Sequence, residues 1–293
     1  MIEGQLHREQ AEKYVLVTGA SSGIGLATAL HFAANNWNLV MVTRAGAKGR
    51  AASNQVRRQS GSNKVMHLTA DLASLQQVRG LTVEIMDKLP RLDVLINNAG
   101  VMLPAREVST DGYEMNWAVN HLAPLLIVER LKNWLSANQP ASIINVNSEG
   151  HRAELFSGTA ANIYFSDLQA EKSYSPTRSY SQSKLASLMT SFSQAEHLRG
   201  SGVTLNCMHP GMVRTALGRK FSWWLRLMPS LMSTAPERSA ACLFGLATSG
   251  QLQVLTGRYF TGDRQAEPLG LVHNKIIAQA VWQLSLQQIL PFV

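Results

Sequence analysis

The chain has 293 residues, 45% of them hydrophobic and 16% charged, which describes an ordinary globular protein long enough to bury a full core. Its two cysteines, Cys207 and Cys242, lie outside any C-x-x-C pair, which excludes a disulfide framework and favours a reducing compartment. The formal net charge is +8, but the basic residues are scattered without interleaved aromatic side chains, which argues against a nucleic-acid partner.

No segment of the sequence is typical of a signal peptide or a membrane span. The first dozen residues include several charged side chains. The longest clean apolar run, residues 122–128, is far shorter than the roughly 18 residues that a membrane helix needs. We therefore expect a cytoplasmic protein without a transmembrane segment.

Apolar runs alternate with helical stretches along the chain, which is the pattern of a parallel sheet covered by helices on both faces. The predicted strands are residues 14–18, 38–43, 64–69, 92–96, 141–147, 203–208 and 256–260. The predicted helices are residues 24–35, 49–59, 73–88, 110–135, 178–199, 235–248 and 272–289. The sequence thus predicts a single α/β domain over residues 1–293, with a doubly wound, Rossmann-type sheet of about seven strands.

The first predicted strand runs into a glycine-rich turn with the spacing Gly19-x3-Gly23-x-Gly25. A strand, a turn and a helix in this order place backbone N–H groups and a helix N-terminus where a pyrophosphate can bind. Ser21, Ser22 and Ile24 complete the turn. A tight turn between strand and helix needs glycines even when it binds nothing, so the motif by itself leaves both interpretations open.

The second predicted strand ends in Thr43 and Arg44, with no acidic residue. In enzymes that prefer NAD, an acidic side chain at this place bonds the adenosine ribose. Arginine is instead the natural partner of a 2′-phosphate, and Lys48 or Arg50 could assist it. This pattern predicts NADP(H), the alternative being a solvated basic helix start.

Three later strands end in small or polar residues. One ends in Asn97-Asn98-Ala99-Gly100, the next in Ser148, and the third in Pro210-Gly211. The carboxyl ends of parallel strands lie at one edge of a sheet, where α/β proteins bind their ligands. We therefore expect these residues to line one crevice, in which glycine and alanine let a flat cofactor approach the backbone.

Tyr180 and Lys184 stand one helical turn apart on the same face of a predicted helix. Proton transfer at neutral pH needs a group that titrates near the working pH, and a free tyrosine has a pKa of about 10. A neighbouring ammonium favours the phenolate, and a pKa of about 7 would take about 4 kcal/mol of differential stabilisation. An amphipathic helix with an exposed lysine is the alternative for an isolated pair.

Taken together, these motifs resemble the short-chain dehydrogenase/reductase superfamily over nearly the whole chain. The matching order is Thr18-Gly-x3-Gly-x-Gly25, Asp71-Leu72, Asn97-Asn-Ala-Gly100, Asn120, Ser148, Tyr180-x3-Lys184 and Pro210-Gly211. Several passages are similar to its retinol dehydrogenase-like branch. They are Asp111-Gly-Tyr-Glu-Met115, Val119-Asn-His-Leu122, the long gap between Ser148 and Tyr180, His209-Pro-Gly-Met-Val-Arg214, and Ala280-Val-Trp282.

The resemblance implies four catalytic positions. Tyr180 would exchange a proton with the carbonyl or alcohol oxygen, and Lys184 would bond the nicotinamide ribose and lower the pKa of Tyr180. Ser148 would hydrogen-bond the substrate oxygen as an orienting donor, with Asn147 as its competitor for that role. Asn120 would hold a water that passes protons from Lys184 to bulk solvent.

The resemblance also implies a set of cofactor-binding positions, with Asp71 placed to bond the adenine amino group. The set is Gly19, Ser21, Ser22, Gly23, Ile24, Gly25, Arg44, Asp71, Leu72, Asn98, Ala99, Gly100, Tyr180, Lys184, Pro210, Gly211, Val213 and Thr215. No metal site is predicted.

Two irregular stretches, residues 151–177 and 212–234, are long for loops of a compact α/β domain, and such loops are usually functional lids or disordered. Within the second, residues 219–232 hold two adjacent tryptophans, two methionines and three leucines, which make an adaptable apolar wall. This indicates a lipophilic substrate. An interfacial helix facing anionic lipid and an oligomer contact are the alternatives for this segment. Glu149 and His151 follow Ser148, so the pocket need not be wholly apolar.

The sequence thus predicts an oxidoreductase that uses NADP(H) and transfers hydride at the CH–OH or carbonyl carbon of a lipophilic substrate, in the reductive direction. The alternatives are a non-catalytic, cofactor-binding regulatory member and a peripheral membrane-associated member acting on lipid-like substrates. Many animal members of the branch carry an N-terminal membrane anchor, and we expect none here. We expect a homo-oligomer, a substrate lid at residues 212–234 and a C-terminal extension at residues 261–293.

Overall fold

The structure is a computed structural model that describes residues 12–154, 157–211, 235–250 and 254–293. The predicted lid over residues 212–234 lies outside the described residues, and so do Val213 and Thr215.

The described chain is built on one sheet of eight strands in the order β3-β2-β1-β4-β5-β6-β7-β8. The strands are β1 Tyr14–Thr18, β2 Asn38–Thr43, β3 Val65–Thr69, β4 Val94–Asn97, β5 Ala141–Val146, β6 Val203–His209, β7 Tyr259–Thr261 and β8 Arg264–Ala266. Strands β1 to β7 pair in parallel, and β8 pairs antiparallel with β7. The predicted Rossmann-type parallel sheet is confirmed.

The expected count of about seven strands is corrected to eight by β8. This strand has only three residues, two of them exposed. An edge strand of this length has no apolar run, so the periodicity that reveals buried parallel strands cannot reveal it.

Helices cover both faces of the sheet. They are α1 Gly23–Ala34, α2 Ala47–Ser60, α3 Leu75–Lys88, α4 Met115–Trp117, α5 Ala123–Ala137, α6 Pro176–His197, α7 Pro236–Thr248 and α8 Lys275–Ile289. Helices α3, α5, α6 and α8 contribute to one hydrophobic core, and α1, α2 and α7 contribute to a second. Because each face buries its own core, the sheet is shielded from water on both sides, as continuous apolar strands require.

The prediction of a helix over residues 110–135 is wrong for its first five residues, 110–114. A helix begins only at Met115, since Val108 and Glu114 form an antiparallel bridge just before it. The Glu114 carboxylate then caps α4 by accepting a hydrogen bond from the Trp117 N–H at 2.9 Å. Residues Ala118–Leu122 form one turn of π-helix before α5. Such turns are often found at functional sites.

Helix α6 is buried along most of its length and is not an amphipathic surface helix. Ser175 caps it by accepting from the Arg178 N–H. Tyr180 and Lys184 are only 6% and 5% exposed. The alternative of an exposed lysine is therefore excluded.

Within the described parts of the chain, none of the helices combines the length and the apolar character that crossing a bilayer requires.

Candidate active site

Two glycines of the first turn are required by its packing against the end of β4. A Cβ on Gly19, which has a φ of +67°, would stand 2.8 Å from Ala99 Cα. A Cβ on Gly25 would stand 2.4 Å from Asn98 Nδ2. The Asn98 amide donates a hydrogen bond to the Thr18 carbonyl at 2.9 Å. Asn98 therefore holds the glycine-rich turn, and these glycines are explained by packing before any ligand is considered.

The amino end of α1 has no side-chain cap. Ser22 stands at the N-cap, but its side chain accepts no hydrogen bond from the described helix backbone, and the first turn has no acidic residue. By contrast, Ser74 and Ser175 cap α3 and α6 by accepting from the N–H groups of Gln77 and Arg178. The first N–H groups of α1 are thus left for an anion, which the positive end of the helix dipole also favours.

A cavity of about 450 Å³ lies beyond the carboxyl ends of β2 and β3. Its lining consists of Ser21, Arg44, Ala45, Lys48, Gly49, Thr69, Ala70, Asp71 and Gln77. Arg44 and Lys48 bring two positive charges, whereas Asp71 brings one negative charge. Lys48 Nζ also donates to Ser22 Oγ at 3.4 Å, which connects the cavity to the amino end of α1. The chemistry of this lining suits a phosphorylated ligand.

Ser148 and Tyr180 meet at the end of β5. Ser148 opens a short 3₁₀ turn, Glu149–His151, and its Oγ accepts from the Gly150 N–H at 3.1 Å. The hydroxyl hydrogen of Ser148 remains to bond the Tyr180 phenolic oxygen. A Cβ on Gly150 would lie 3.0 Å from Tyr180 Cε1, so only glycine lets the phenol come this close.

Burial raises the pKa of Tyr180, because the phenolate would lose its hydration, while the hydrogen bond from Ser148 acts in the opposite direction. The predicted lowering by Lys184 is not the dominant effect. Lys184 Nζ lies 5.9 Å from the centre of the Tyr180 ring and donates to the Val146 carbonyl at 3.0 Å. Burial also lowers the pKa of Lys184 to about 8. Without a ligand, the site therefore holds a protonated phenol beside an ammonium that loses its proton more readily than that of an ordinary lysine.

Both polar atoms of the Asn147 side chain are hydrogen-bonded to backbone groups. Its Nδ2 donates to the Lys184 carbonyl at 3.1 Å, and its Oδ1 accepts from the Ser148 N–H at 2.7 Å. Asn147 thus ties the end of β5 to α6, and of the two competing residues Ser148 is the one that contacts Tyr180.

Asn120 lies in the π turn with both of its amide hydrogens in use. Nδ2 donates to the Val101 carbonyl at 2.8 Å and to Ser183 Oγ at 3.0 Å, and Oδ1 accepts from the Val101 N–H at 2.7 Å. A Cβ on Gly100 would lie 3.3 Å from Asn120 Oδ1 and 3.6 Å from Lys184 Nζ. Asn120 and Lys184 therefore flank the same glycine. A water between them would use an Asn120 oxygen, since the amide donors are taken.

Several predicted cofactor residues are buried or already hydrogen-bonded within the described chain. The side chains of Ile24 and Leu72 are 8% and 7% exposed and belong to the hydrophobic cores. The Pro210 carbonyl accepts from Ser239 Oγ at 2.7 Å. Asp71 Oδ1 accepts from the Ala73 N–H at 3.1 Å, which shapes the turn after β3.

Three residues that the sequence did not single out support this site, and so does Thr18, which the sequence named only as part of the turn motif. Val146 supplies the carbonyl that receives the Lys184 ammonium, and Ser183 receives the Asn120 amide. Gly150 makes room for Tyr180, and the Thr18 hydroxyl accepts from the Asn98 N–H at 3.0 Å. Only Gly150 carried a usable signal, a glycine two residues after a candidate catalytic serine.

The chain is similar to known proteins over most of its length. A family model described as short chain dehydrogenase matches residues 13–225. Human retinol dehydrogenase 13 is 36% identical over 279 residues, covering 92% of this chain and 82% of that protein. Human retinol dehydrogenase 14 is 35% identical over 292 residues, covering 93% of this chain and 85% of that protein.

Among solved structures, an uncharacterised protein from Mycobacterium paratuberculosis superposes with a TM-score of 0.74 at 26% sequence identity. The match covers 95% of this chain and 94% of that chain. The similarity to known proteins therefore extends over the fold, and the matched range of the family model includes residues 120–184.

Proposed function

Since the chain belongs to the short-chain dehydrogenase/reductase superfamily, in its retinol dehydrogenase-like branch, we propose that it is an NADP(H)-dependent oxidoreductase of lipophilic carbonyl compounds and alcohols. The observation that carries this proposal is the convergence of Ser148, Tyr180 and Lys184 with Asn120 at the carboxyl edge of the sheet. Their donors and acceptors suit the exchange of a proton with a substrate oxygen.

The chain's own groups fit a phosphorylated dinucleotide. The uncapped amino end of α1 suits the pyrophosphate, and the cavity beside Arg44 and Lys48 suits a 2′-phosphate. No acidic residue ends β2, where a preference for NAD would place one to bond the free ribose hydroxyls. When bound, the nicotinamide would supply the hydride to a carbonyl carbon or take it from an alcohol carbon.

The residues at the end of β5 and on α6 would handle the proton. With a substrate bound, the Ser148 hydroxyl would turn its one hydrogen from Tyr180 to the substrate oxygen, and Tyr180 would give that oxygen its proton during reduction. Lys184 would bond the nicotinamide ribose and supply positive charge near the phenol. Asn120 and Lys184, which flank Gly100, would return a proton to Tyr180 from solvent.

The protonation state of the buried phenol suits the reductive step. Burial raises the pKa of Tyr180, so that the phenol keeps its proton at neutral pH and is ready to donate it. Oxidation of an alcohol would first need the phenolate, which the same burial disfavours. Reduction near neutral pH is therefore the direction to assay first.

The substrate class rests on the relatives and on the sequence. Two relatives are named as dehydrogenases of retinol, a lipophilic alcohol. Residues 219–232, which lie outside the described residues, carry the apolar side chains expected of a matching wall. Lipophilic aldehydes and ketones, with the corresponding alcohols in reverse, are the substrates to examine first.

The decisive experiment is a screen for NADPH consumption against a panel of such aldehydes and ketones. Tyr180→Phe should reduce kcat by at least about a hundredfold, since general acid catalysis contributes 10²–10⁴-fold. Tyr14→Phe is the control, because the Tyr14 hydroxyl bonds only Glu12 at the surface of the described chain. Full activity of Tyr180→Phe would show that Tyr180 is not the proton donor. Binding of NADPH without turnover would indicate a regulatory protein.

Cofactor preference is tested separately with Arg44→Ala. Losing one charge-assisted bond to a phosphate costs about 1.5–3 kcal/mol, so kcat/KM for NADPH should fall about 10- to 100-fold while that for NADH stays unchanged. Arg58→Ala, an exposed position of α2 that does not line the cavity, is the control for loss of charge. A wild-type preference for NADH would refute this part of the proposal.

A further inference from the structure

Two buried histidines follow the candidate catalytic turns and contact one distant part of the chain. His121 comes directly after Asn120, and His151 closes the 3₁₀ turn that Ser148 opens. Both side chains are 0% exposed. Both bond to residues 259–289, which we call the distal segment.

His121 is joined to α8. Its Nε2 lies 2.8 Å from Ser285 Oγ, and Ser285 Oγ donates its only hydrogen to the Val281 carbonyl at 2.7 Å. His121 Nε2 must therefore carry the hydrogen and donate it to Ser285. Its Nδ1 is buried with no partner among the described residues, so the ring is the neutral tautomer protonated at Nε2.

A neighbouring contact strengthens this junction. Trp117 Nε1 donates to Gln288 Oε1 at 2.9 Å, one turn along α8 from Ser285. The Tyr113 hydroxyl donates to the Gln288 carbonyl at 3.2 Å. The approach to the π turn and the turn itself are thus bonded to α8 at three places.

His151 is joined to the distal segment with the opposite tautomer. The Leu269 N–H donates to His151 Nε2 at 3.2 Å, so this nitrogen must be bare. His151 Nδ1 then carries the hydrogen and donates it to the Ser148 carbonyl at 2.7 Å. The ring also packs edgewise on Tyr259, 4.9 Å between centroids.

Two further bonds clamp the same 3₁₀ turn. The Tyr259 hydroxyl donates to Glu149 Oε1 at 2.8 Å, and the Arg152 guanidinium donates to the Glu267 carbonyl. Arg152 Nε also donates to Glu149 Oε2 at 2.5 Å. The Ser148 turn is therefore bonded to β7 and to the residues after β8.

We infer that His121 and His151 are positioning residues. Their hydrogen bonds, which we call latches, hold the turns of Asn120 and Ser148 against the distal segment. They thereby set the positions of Asn120 and Ser148 relative to Tyr180 and Lys184. This inference rests on the proposed function for the roles of Asn120 and Ser148. The hydrogen bonds and tautomers that form the two latches do not depend on it.

Both latches require neutral imidazole rings. Protonation of His151 would put a hydrogen on the nitrogen that accepts from Leu269, and protonation of His121 would bury a charge with no counterion contact among the described residues. Burial lowers the pKa of both histidines, to about 3 for His121. Both imidazole rings are therefore neutral near pH 7.

The experiment compares amide side chains that imitate one ring nitrogen or the other. In His121→Gln the amide lies where Nε2 lay and can still donate to Ser285, whereas in His121→Asn it lies nearer the position of Nδ1. We expect His121→Asn to lower kcat about 10- to 100-fold, the size of effect that a misplacement of about 1 Å produces, and His121→Gln to retain activity within about threefold. The Kd for NADPH should stay unchanged in both variants.

At position 151 each amide retains only one of the two bonds. His151→Asn can still donate to the Ser148 carbonyl but releases Leu269, and His151→Gln does the reverse. Because the latch needs both bonds, kcat should fall about tenfold or more in both. His31→Asn, a histidine of α1 that packs on Phe244 outside the distal segment, is the control and should keep wild-type kcat.

Ser285→Ala removes the hydrogen-bond partner of His121 in the distal segment. It tests the same contact if His121→Asn does not fold. It should lower kcat as His121→Asn does. Wild-type kcat in folded Ser285→Ala, or equal kcat in the two His121 variants, would overturn the inference.

Hydrogen–deuterium exchange provides the readout that does not need turnover. Peptides over residues 118–122 and 148–152 should lose protection in His121→Asn and His151→Asn respectively, and keep it in His31→Asn. If the wild type reduced no carbonyl compound, the proposed function would be wrong and exchange alone would decide on the latches. Unchanged protection in both Asn variants would refute them.

Discussion

Gly150 shows how a residue without a side chain contributes to the candidate site. It donates its N–H to Ser148 Oγ, and it lies against the ring of Tyr180. Any side chain here would stand between the two hydroxyl-bearing residues. The sequence separates Ser148 from Tyr180 by many residues, and only packing brings them together.

We predict that Gly150→Ala impairs catalysis more than stability. The new Cβ would stand 3.0 Å from Tyr180 Cε1, so the phenol must move by a few tenths of an ångström, and kcat should fall about tenfold or more. Steady-state kinetics with NADPH and a carbonyl substrate measure the effect. The control is Gly80→Ala in α3, where a Cβ meets nothing within 4 Å and alanine should stabilise the helix by about 0.5–1 kcal/mol. An unchanged kcat in Gly150→Ala would contradict the close approach.

Lys184 provides a prediction for the pH dependence of the reaction. Burial lowers its pKa to about 8, so the ammonium is present below that pH and is lost as the pH rises through it. Because kcat/KM reports the free protein, kcat/KM for NADPH should be level near pH 7 and fall about tenfold per pH unit well above 8. Lys184→Met should be much less active at every pH and lack this inflection. A wild-type profile that stays level from about pH 6.5 to 9.5 would show that the charge of Lys184 is not needed.

Among the helices and strands, the π turn between α4 and α5 is a feature that the sequence pattern did not predict. The residues around it are apolar with helical spacing, which predicts a continuous helix over residues 110–135. The structure instead starts the helix at Met115 and widens it at residues 118–122. The side chain of Asn120 is then bonded to Val101 and Ser183, which belong to other elements. Contacts between elements, not local propensity, thus determine this turn.

The junction of the π turn with α8 makes acid stability a direct test of the His121 ring. Its pKa is about 3 in the folded chain and about 6.5 when unfolded, so its contribution to the free energy of unfolding is complete above pH 6.5 and is lost as the pH falls towards 3. Between pH 7.5 and 5 the wild type should lose about 2 kcal/mol more than His121→Gln. Denaturant unfolding at the two pH values measures this difference. Equal losses in the two proteins would mean that the ring is not buried in its neutral form.

At the scale of the whole molecule, one edge of the sheet unites two groups of residues that lie far apart in sequence. The cavity with Arg44 and Lys48 lies beyond β2 and β3, whereas Ser148 and Tyr180 lie beyond β5. A parallel sheet brings the carboxyl ends of all these strands to the same side. An extended dinucleotide can therefore contact both groups at once.

We predict that NADPH stabilises the folded chain as a whole. A ligand at a hundred times its Kd adds about 2.7 kcal/mol to the free energy of unfolding, which should raise Tm by several degrees. Thermal unfolding with and without NADPH measures the shift, and Arg44→Ala should reduce it at the same concentration while Arg58→Ala should not. Equal stabilisation by NADH and NADPH would show that no 2′-phosphate is recognised.

Much of the sheet could be predicted from the sequence, and the reason is burial. Strands covered on both faces must be apolar along their whole length, so β1 and β2 were predicted with the bounds that the structure has, and β5 and β6 to within a residue. Strand β8 was missed because an exposed edge strand is free of that requirement. Tyr180 and Lys184 could be singled out from the chemistry of proton transfer, whereas Ser148, Asn120 and the cofactor-binding residues were named through the resemblance to a known family.

The pattern of the sequence indicated most of the strands and helices, because burial constrains their composition, and its motifs pointed to the candidate site residues through their resemblance to a known family. The protonation of Tyr180 and Lys184 depends on the tertiary structure, because desolvation depends on everything that packs around these side chains. The tertiary structure also decided that Asn98 and Asn147 hold backbone segments together, and that the distal segment reaches His121 and His151. Hydrogen bonds between residues so far apart in the chain leave no periodic pattern, and three-dimensional packing alone creates them.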